Sequence, residues 1–400
     1  MANRGGGVLC IDVLPFASST RTRKMALSIK EALPRTDVQA LTLQRVGRTG
    51  LADLRRGYEE GGVAVHQVPS LRPFTRRTRA ATVGNLLLVY PPSLVRLAWE
   101  ALRRPARVVV LGSTSLCWLG ALHQAVHGSH VVVSARERLG GVRTRGSIGT
   151  LVSRLEPRMM RFLGRRDVTT VAVCDGHADE FARAGAHEVL TVRNVPRRDF
   201  IPDRFPPPPD PQGPLTLVLL GSLYEGRGVE PLIRAVARAR LQGHDVRLEI
   251  TGRASPEYLG RIRSVVRASD IEGHVRYLGP CEPDEVAERY ARGHVGTALY
   301  EAVDRANDSL SNKLFECVAS GRPVLAGDLP ENRRVVEEHG LGWTAPVDEQ
   351  ALAERIGEIA ASAGTLEARG RRCQDVSRRE LHWEAEIGPL VERVGRYVTR

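Results

Sequence analysis

The sequence predicts an α/β fold of two doubly wound, Rossmann-like units. Three observations predict it. Short β-branched runs alternate with longer amphipathic stretches, the pattern of parallel sheets with crossover helices. The alternation stops at PDRFPPPPDPQGP, residues 202–214, where the prolines can continue neither a helix nor a central strand. It then restarts, and 400 residues are too many for one ordinary α/β core and enough for two.

In order, the first unit opens with a strand at residues 8–13, a polar loop at 15–22 and a helix at 24–33. Strands follow at 40–43, 63–67, 108–111, 131–134, 170–173 and 189–192, with a crossover helix at 116–127. The segment 202–214 reads as a stiff, extended linker. The second unit has strands at 215–220, 246–251, 275–278, 295–299 and 323–326. Its helices fall at 229–241, 256–268, 283–291 and 312–320. In such sheets ligands sit at the carboxyl ends of the strands.

Net charge is +12, with charged residues at 26% and hydrophobic residues at 42%, so the chain is globular and basic. Arginines concentrate in LRPFTRRTR, residues 71–79, and at Arg96, Arg103, Arg104 and Arg107. They form either a solvated basic face or a surface for an anionic membrane. The apolar stretch 83–99 is too interrupted, by Pro91, Pro92 and Arg96, to span a bilayer. It is either a packed helix or a segment resting at the interface. MANRGGG does not open a secretory leader. Cys10, Cys117, Cys174, Cys281, Cys317 and Cys373 form no C-x-x-C pair and read as core residues of a reducing compartment.

The first chemically informative segment is GSLYEGRG, residues 221–228, directly after a strand and before a helix. Gly221 and Gly228 let the backbone approach a ligand, and the helix start offers N–H groups to an anion. Arg227 adds a permanent, bidentate positive charge. A diphosphate is the natural guest, and an ordinary strand-to-helix turn is the alternative. The segment is no P-loop, because Arg227 and Gly228 stand where Lys and Ser/Thr belong. Gly5-Gly6-Gly7 precedes its strand and cannot cradle a pyrophosphate.

The second is NDSLSNKLFECVASGRP, residues 307–323. A helix starts near Asn312, capped by Ser311 or a neighbour, and stops at Gly321 ahead of Pro323. Lys313, in its first turn, opposes the helix dipole at a cost of about a few tenths of a kcal/mol. That placement makes sense if an anion is held there. Glu316, one turn on, suits the vicinal hydroxyls of a ribose, and Asp308 suits sugar hydroxyls. The alternative leaves Asp308 and Ser311 as caps and Glu316 exposed.

Together these segments resemble glycosyltransferase family 4, the retaining GT-B group. Its donor half reads G-R-L-x-x-x-K-G early and E-x7-E later, entering a helix that ends A-x-G-x-P-V. Here the first is Gly221-Ser222-Leu223 through Arg227-Gly228. The second is Asp308 through Glu316, with Ala319-Ser320-Gly321-Arg322-Pro323-Val324. SNKLFECVASGRPVLA and the tail His382-Trp383-Glu384-Ala385-Glu386 are also typical. The resemblance is specific from about residue 215 onward.

It implies two halves facing a central cleft. Residues 1–201 form the acceptor side, 202–214 the linker, 215–372 the donor domain and 373–400 a C-terminal helix that crosses back onto the N-terminal half. It implies Arg227 and Lys313 on the donor diphosphate, with Asp308 on the donor sugar. Glu316 takes the ribose. Gly221, Ser222, Gly228, Ser311 and Asn312 belong to the two donor segments, and Gly252, Arg253, Leu278 and Gly279 line the nucleobase pocket. Ser222 removes one family cation, and Asp308 shortens the family's Glu. In the N-terminal half Ser134-Ala135-Arg136-Glu137 stands where D-x-H-[DE] is usual, leaving Arg136 and Glu137 as acceptor-side candidates. Arg21 joins them from the loop that replaces a Gly-rich one.

The implied reaction is retaining transfer from a nucleoside-diphosphate sugar to a hydroxyl acceptor, whether polysaccharide, lipid-linked glycan or metabolite. The implication includes no cofactor, no metal and no nucleic-acid partner. The setting is the cytoplasm, with peripheral contact at the inner face of an anionic membrane. Two other classes stay open: a nucleotide-sugar 2-epimerase of the same architecture, and a basic nucleic-acid- or membrane-binding protein with a degenerate site. His123 and His127, four apart on a helix with His130 beyond, lack an acidic third ligand for Zn²⁺. No G-x-S-x-G elbow supports a hydrolase.

Overall fold

The computed structural model describes residues 6–45, 57–70, 90–136, 158, 167–210, 213–301 and 310–399. The chain separates into two compact units, Met1–Val192 with Ile387–Arg400, and Arg193–Glu386.

The first unit holds β1 (Val8–Asp12), β2 (Val38–Arg45), β3 (Gly57–Glu60), β4 (Val63–Ser70), β5 (Val108–Leu111), β6 (His130–Ala135), β7 (Val168–Ala172) and β8 (Glu188–Thr191). They form one sheet in the order β3-β4-β2-β1-β5-β6-β7-β8, parallel except for β3 against β4. Its helices include α1 (Thr20–Ala32), α2 (Tyr90–Leu102), α3 (Cys117–His127) and α4 (Asp175–Arg183). β1, β5, β6 and β7 are buried along their whole length, as Val- and Leu-rich central parallel strands must be. β3 escapes sequence reading because GYEE has too few apolar residues. Its two glutamates suit a charged edge.

The second unit holds β9 (Leu215–Leu220), β10 (Val246–Thr251), β11 (Val275–Tyr277), β12 (Val295–Ala298), β13 (Val324–Gly327) and β14 (Gly342–Ala345). All are parallel, in the order β11-β10-β9-β12-β13-β14. The helices are α5 (Val229–Leu241), α6 (Pro256–Ala268), α7 (Val286–Ala291), α8 (Asn312–Ala319), α9 (Pro330–His339), α10 (Glu349–Ala361), α11 (Leu366–Arg379) and α12 (Trp383–Glu386). α6 begins where Ser255 accepts from the Tyr258 N–H with Pro256 next, a strong start signal. Leu217, Leu219, Leu248 and Ile250 of the sheet share one core with Val236 of α5 and Leu352 and Ile356 of α10.

Two segments differ from expectation. The proline-rich stretch 202–214 belongs to the second unit, which begins at Arg193. Proline carbonyls have no helix or ladder partner, so side chains satisfy them. Arg322, 2% exposed, donates to the carbonyls of Pro206 at 3.0 Å, and of Pro207, Ala291 and Gly293 at 2.8 Å each. Gln374 and Arg378 donate to the carbonyl of Pro202 at 3.0 and 2.6 Å. Second, the stretch 373–400 is not one helix. It contains the end of α11, then α12, then α13 (Gly388–Val398), with Pro389 in its first turn. α13 is part of the first unit, with Leu390 and Val394 buried, Tyr397 stacked on His130 at 3.8 Å and Arg393 paired with Glu188 at 2.9 Å.

Candidate functional site

The second sheet reverses its strand order between β9 and β12, the place where such sheets bind ligands at their carboxyl ends. Register brings the loops there together. Leu220 pairs with Thr251 and Ile250 with Tyr277, so the turns after β9, β10 and β11 begin side by side. Backbone bonds then lace them: Leu223 N to Arg253 O at 2.8 Å and Gly252 N to Gly279 O at 2.8 Å. The hydroxyl of Tyr277 donates to the Gly252 carbonyl at 2.8 Å. A Cβ on Gly252, at φ +155°, would collide with the Gly221 carbonyl oxygen, so only glycine permits this approach. Arg253 is exposed and Leu278 half-buried along this edge.

Arg227 closes the loop after β9. Its guanidinium lies between two aromatic rings, 4.5 Å from the centre of Tyr224 and 4.3 Å from that of Tyr300. Such stacking holds the planar cation without using its N–H groups. Nε and Nη1 are buried and have no hydrogen-bond partner among the described residues. Gly228, at φ +67°, follows as the residue before α5, and no side chain caps that helix. An anion would satisfy both the orphaned guanidinium and the start of α5.

Lys313 enters from α8. Ser311 caps this helix by accepting from the Lys313 N–H at 3.2 Å, and its hydroxyl also bonds that of Tyr300 at 3.2 Å. Tyr300 therefore links the Arg227 clamp to the start of α8. The Lys313 ammonium lies over Gly221: a Cβ there would stand 2.8 Å from Nζ. Burial and the Arg227 guanidinium push the ammonium down to about 8, against the opposing effect of Glu316. Two cations thus converge on one sheet edge, where a diphosphate would relieve their repulsion. Glu316 is half-buried one turn along α8, Asn312 is exposed at its first residue, and Ser222 is exposed in the loop after β9.

Asp308 and Glu137 lie outside the described residues. In the first unit, Arg136 follows β6 and donates to Asp12 Oδ2 at 2.7 Å, Thr22 Oγ1 at 2.8 Å and Ser19 Oγ at 3.1 Å. Asp12 is 1% exposed at the end of β1, and Thr22 and Ser19 also donate to it. Arg136 therefore stands at the carboxyl edge beside the β1–β5 reversal, oriented by a buried carboxylate. Arg21 is a correction. It is 3% exposed, and donates to Ser134 Oγ at 3.1 Å and the Val192 carbonyl at 2.8 Å, so it ties α1 to the strand ends and offers no open face to an acceptor. His123 and His127 direct ring nitrogens at the carbonyls of Arg104 and Leu102, at 3.1 and 2.8 Å.

Sequence reasoning missed Tyr224, Tyr300 and Asp12. Asp12 left a signal, a carboxylate inside the apolar run VLCIDV. Tyr300 left a weaker one, an aromatic just beyond a strand at the reversal. Among the described residues, no helix is long and apolar enough to cross a membrane.

The family model for glycosyl transferases group 1 matches residues 214–362. A phosphatidyl-myo-inositol mannosyltransferase of Mycolicibacterium smegmatis is 31% identical over 153 residues, 38% of this chain and 36% of that protein. The match thus spans about a third of this curated relative. Among solved structures, a sucrose-phosphate synthase from Thermosynechococcus elongatus superposes with a TM-score of 0.72 at 15% identity, covering 98% of this chain and 99% of the other. Anabaena HepE in complex with UDP gives 0.70 at 14% identity, covering 98% and 100%. These likenesses show the GT-B fold.

Proposed function

We propose, from the premise that residues 214–362 belong to glycosyl transferases group 1 on a GT-B fold, that this protein is a retaining glycosyltransferase. It moves a sugar from a nucleoside-diphosphate sugar to a hydroxyl acceptor and uses no metal. The observation that carries the reading is the convergence of Arg227 and Lys313 on one glycine-lined sheet edge.

As the bond between sugar and diphosphate breaks, negative charge gathers on the leaving phosphate. Arg227, held rigid by its two tyrosines, and Lys313, held over Gly221, are preorganised to stabilise that charge. The start of α5 adds backbone N–H groups. The acceptor hydroxyl attacks from the same face, and its proton passes to the departing phosphate oxygen. Glu316 holds the ribose and Asp308 the donor sugar. The loops bearing Gly252, Arg253, Leu278 and Gly279 flank the base. Arg136 is the first unit's candidate for acceptor contact.

The curated relative's name points to a lipid-linked, polyol-bearing acceptor, and HepE's complex points to UDP as the nucleotide. The test incubates the protein with UDP- and GDP-sugars, with and without a membrane lipid extract. Nucleoside diphosphate release and sugar transfer to lipid should both require the extract. Donor epimerisation without acceptor would replace this reading by the 2-epimerase. Absence of turnover with every donor and acceptor would count against an enzyme.

A further inference from the structure

Two tyrosines reach the start of α8, and their hydroxyls are used differently. Tyr290 is fully buried, and its hydroxyl donates to the Lys313 carbonyl at 3.4 Å. That hydrogen is committed inside the fold. Tyr300 is half-buried, and its hydroxyl oxygen accepts instead: Ser311 donates to it at 3.2 Å. The Ser311 oxygen in turn accepts from the Lys313 N–H as the cap of α8. The phenolic hydrogen of Tyr300 therefore has no acceptor among the described residues.

The backbone fixes where Tyr300 stands. Leu299, one residue earlier, lies against Gly228, where a Cβ would come within 2.6 Å of the Leu299 Cβ. Glu301, one residue later, donates its N–H to the Gly226 carbonyl at 3.1 Å. The chain leaving β12 is thus tied to both neighbours of Arg227. The Tyr300 ring then lies 4.3 Å from that guanidinium, and its oxygen touches the cap of the helix that carries Lys313. Tyr224, on the other side of Arg227, is exposed, so water can serve its hydroxyl.

A half-buried O–H left without an acceptor is costly. A hydroxyl that already accepts a hydrogen bond is a stronger donor. Its bond to an anionic oxygen is stronger again than a neutral one. A neutral donor also adds no repulsion to the two cations before an anion arrives.

We propose that the Tyr300 hydroxyl donates to the diphosphate, as a third group beside Arg227 and Lys313. This contact presupposes the nucleoside-diphosphate reading of the edge and gives it a further binding residue.

The test is calorimetric titration of the full chain with UDP and GDP. Tyr300→Phe keeps the ring against Arg227 and removes only the hydroxyl. It should weaken the nucleotide that binds the parent by about tenfold or more, with the thermal transition of the free protein unchanged. Tyr300→Leu, which also removes the ring, should weaken it further. Ser311→Ala separates contact from support. A hydroxyl that only holds the helix cap has no work left once Ser311 is gone. A hydroxyl on the diphosphate still does, so adding Tyr300→Phe to Ser311→Ala should weaken binding by about threefold or more. The proposal is overturned if Tyr300→Phe binds as the parent does, or if it costs nothing further in Ser311→Ala. A parent that binds neither nucleotide overturns this contact and the diphosphate reading together. A parent that binds one, with Tyr300→Phe unchanged, overturns this contact alone.

Discussion

Lys313 is the residue whose surroundings say most about its task. Burial, with Arg227 alongside, lowers its ammonium to about 8. An unfolded lysine titrates near ~10.4. Between those values the unfolded chain binds a proton that the folded one does not, so stability rises with pH across that window. Replacing the ammonium with an apolar group removes this dependence. Lys313→Met should therefore be more stable than the parent at pH 7, with the gap closing from about pH 8 to 10.4. Thermal transitions at stepped pH read this directly, and an unchanged gap would contradict it. Diphosphate affinity should move the other way, falling as pH rises through about 8. Arg227 makes a different prediction. Its flat guanidinium is held between Tyr224 and Tyr300, a stacking that a lysine cannot reproduce. Arg227→Lys should lose most of the nucleoside diphosphate affinity that Arg227→Ala loses, as titration calorimetry would show. The sequence singled out both cations as candidates for the proposed diphosphate, Arg227 between a strand and a helix and Lys313 in the first turn of a helix. The tyrosine clamp was not singled out, because ring-to-guanidinium contact leaves no local spacing. Arg21 was misread for a related reason. A polar loop looks open in sequence, yet its arginine is drawn inward by the Val192 carbonyl and the Ser134 hydroxyl.

At the scale of elements, Gly252 and Arg322 hold two different places, the sheet edge proposed for the donor and the proline-rich stretch. Gly252 lets the turn after β10 touch the turn after β9, at a φ that side chains rarely adopt. Gly252→Ala should destabilise the protein by about 2 kcal/mol or more and weaken donor binding, as read by denaturant unfolding and calorimetry. Arg322, in the A-x-G-x-P-V segment, ties the proline-rich stretch to the second unit through buried carbonyls. Arg322→Met should cost roughly 3 kcal/mol in denaturant unfolding, because several carbonyls lose their donors together. A cost under about 0.5 kcal/mol would show that water replaces the guanidinium. Prolines announce where regular structure stops. They do not reveal which distant donor bonds to their carbonyls, so the stretch read as a stiff, extended linker between two domains. The hairpin strand β3 escaped for lack of apolar residues, whereas β9, β10 and their helices were plain because β-branched strands and amphipathic helices carry different periods.

For the whole molecule, alternation of strand and helix announced two doubly wound units, and strand order then pointed to the β9–β12 reversal as the edge we propose for the donor. Sequence supplied the two candidate donor segments. Three-dimensional register supplied their meeting, through Tyr300 between Arg227 and Ser311. The central claim is that Arg227 and Lys313 hold one diphosphate between them. Calorimetric titration of the parent, Arg227→Ala, Lys313→Ala and the double variant with UDP and GDP tests it most directly. The account predicts that one nucleotide binds the parent, that each single change weakens it at least about tenfold, and that the two losses do not add. Binding that is absent from the parent, or untouched by both single changes, would contradict it.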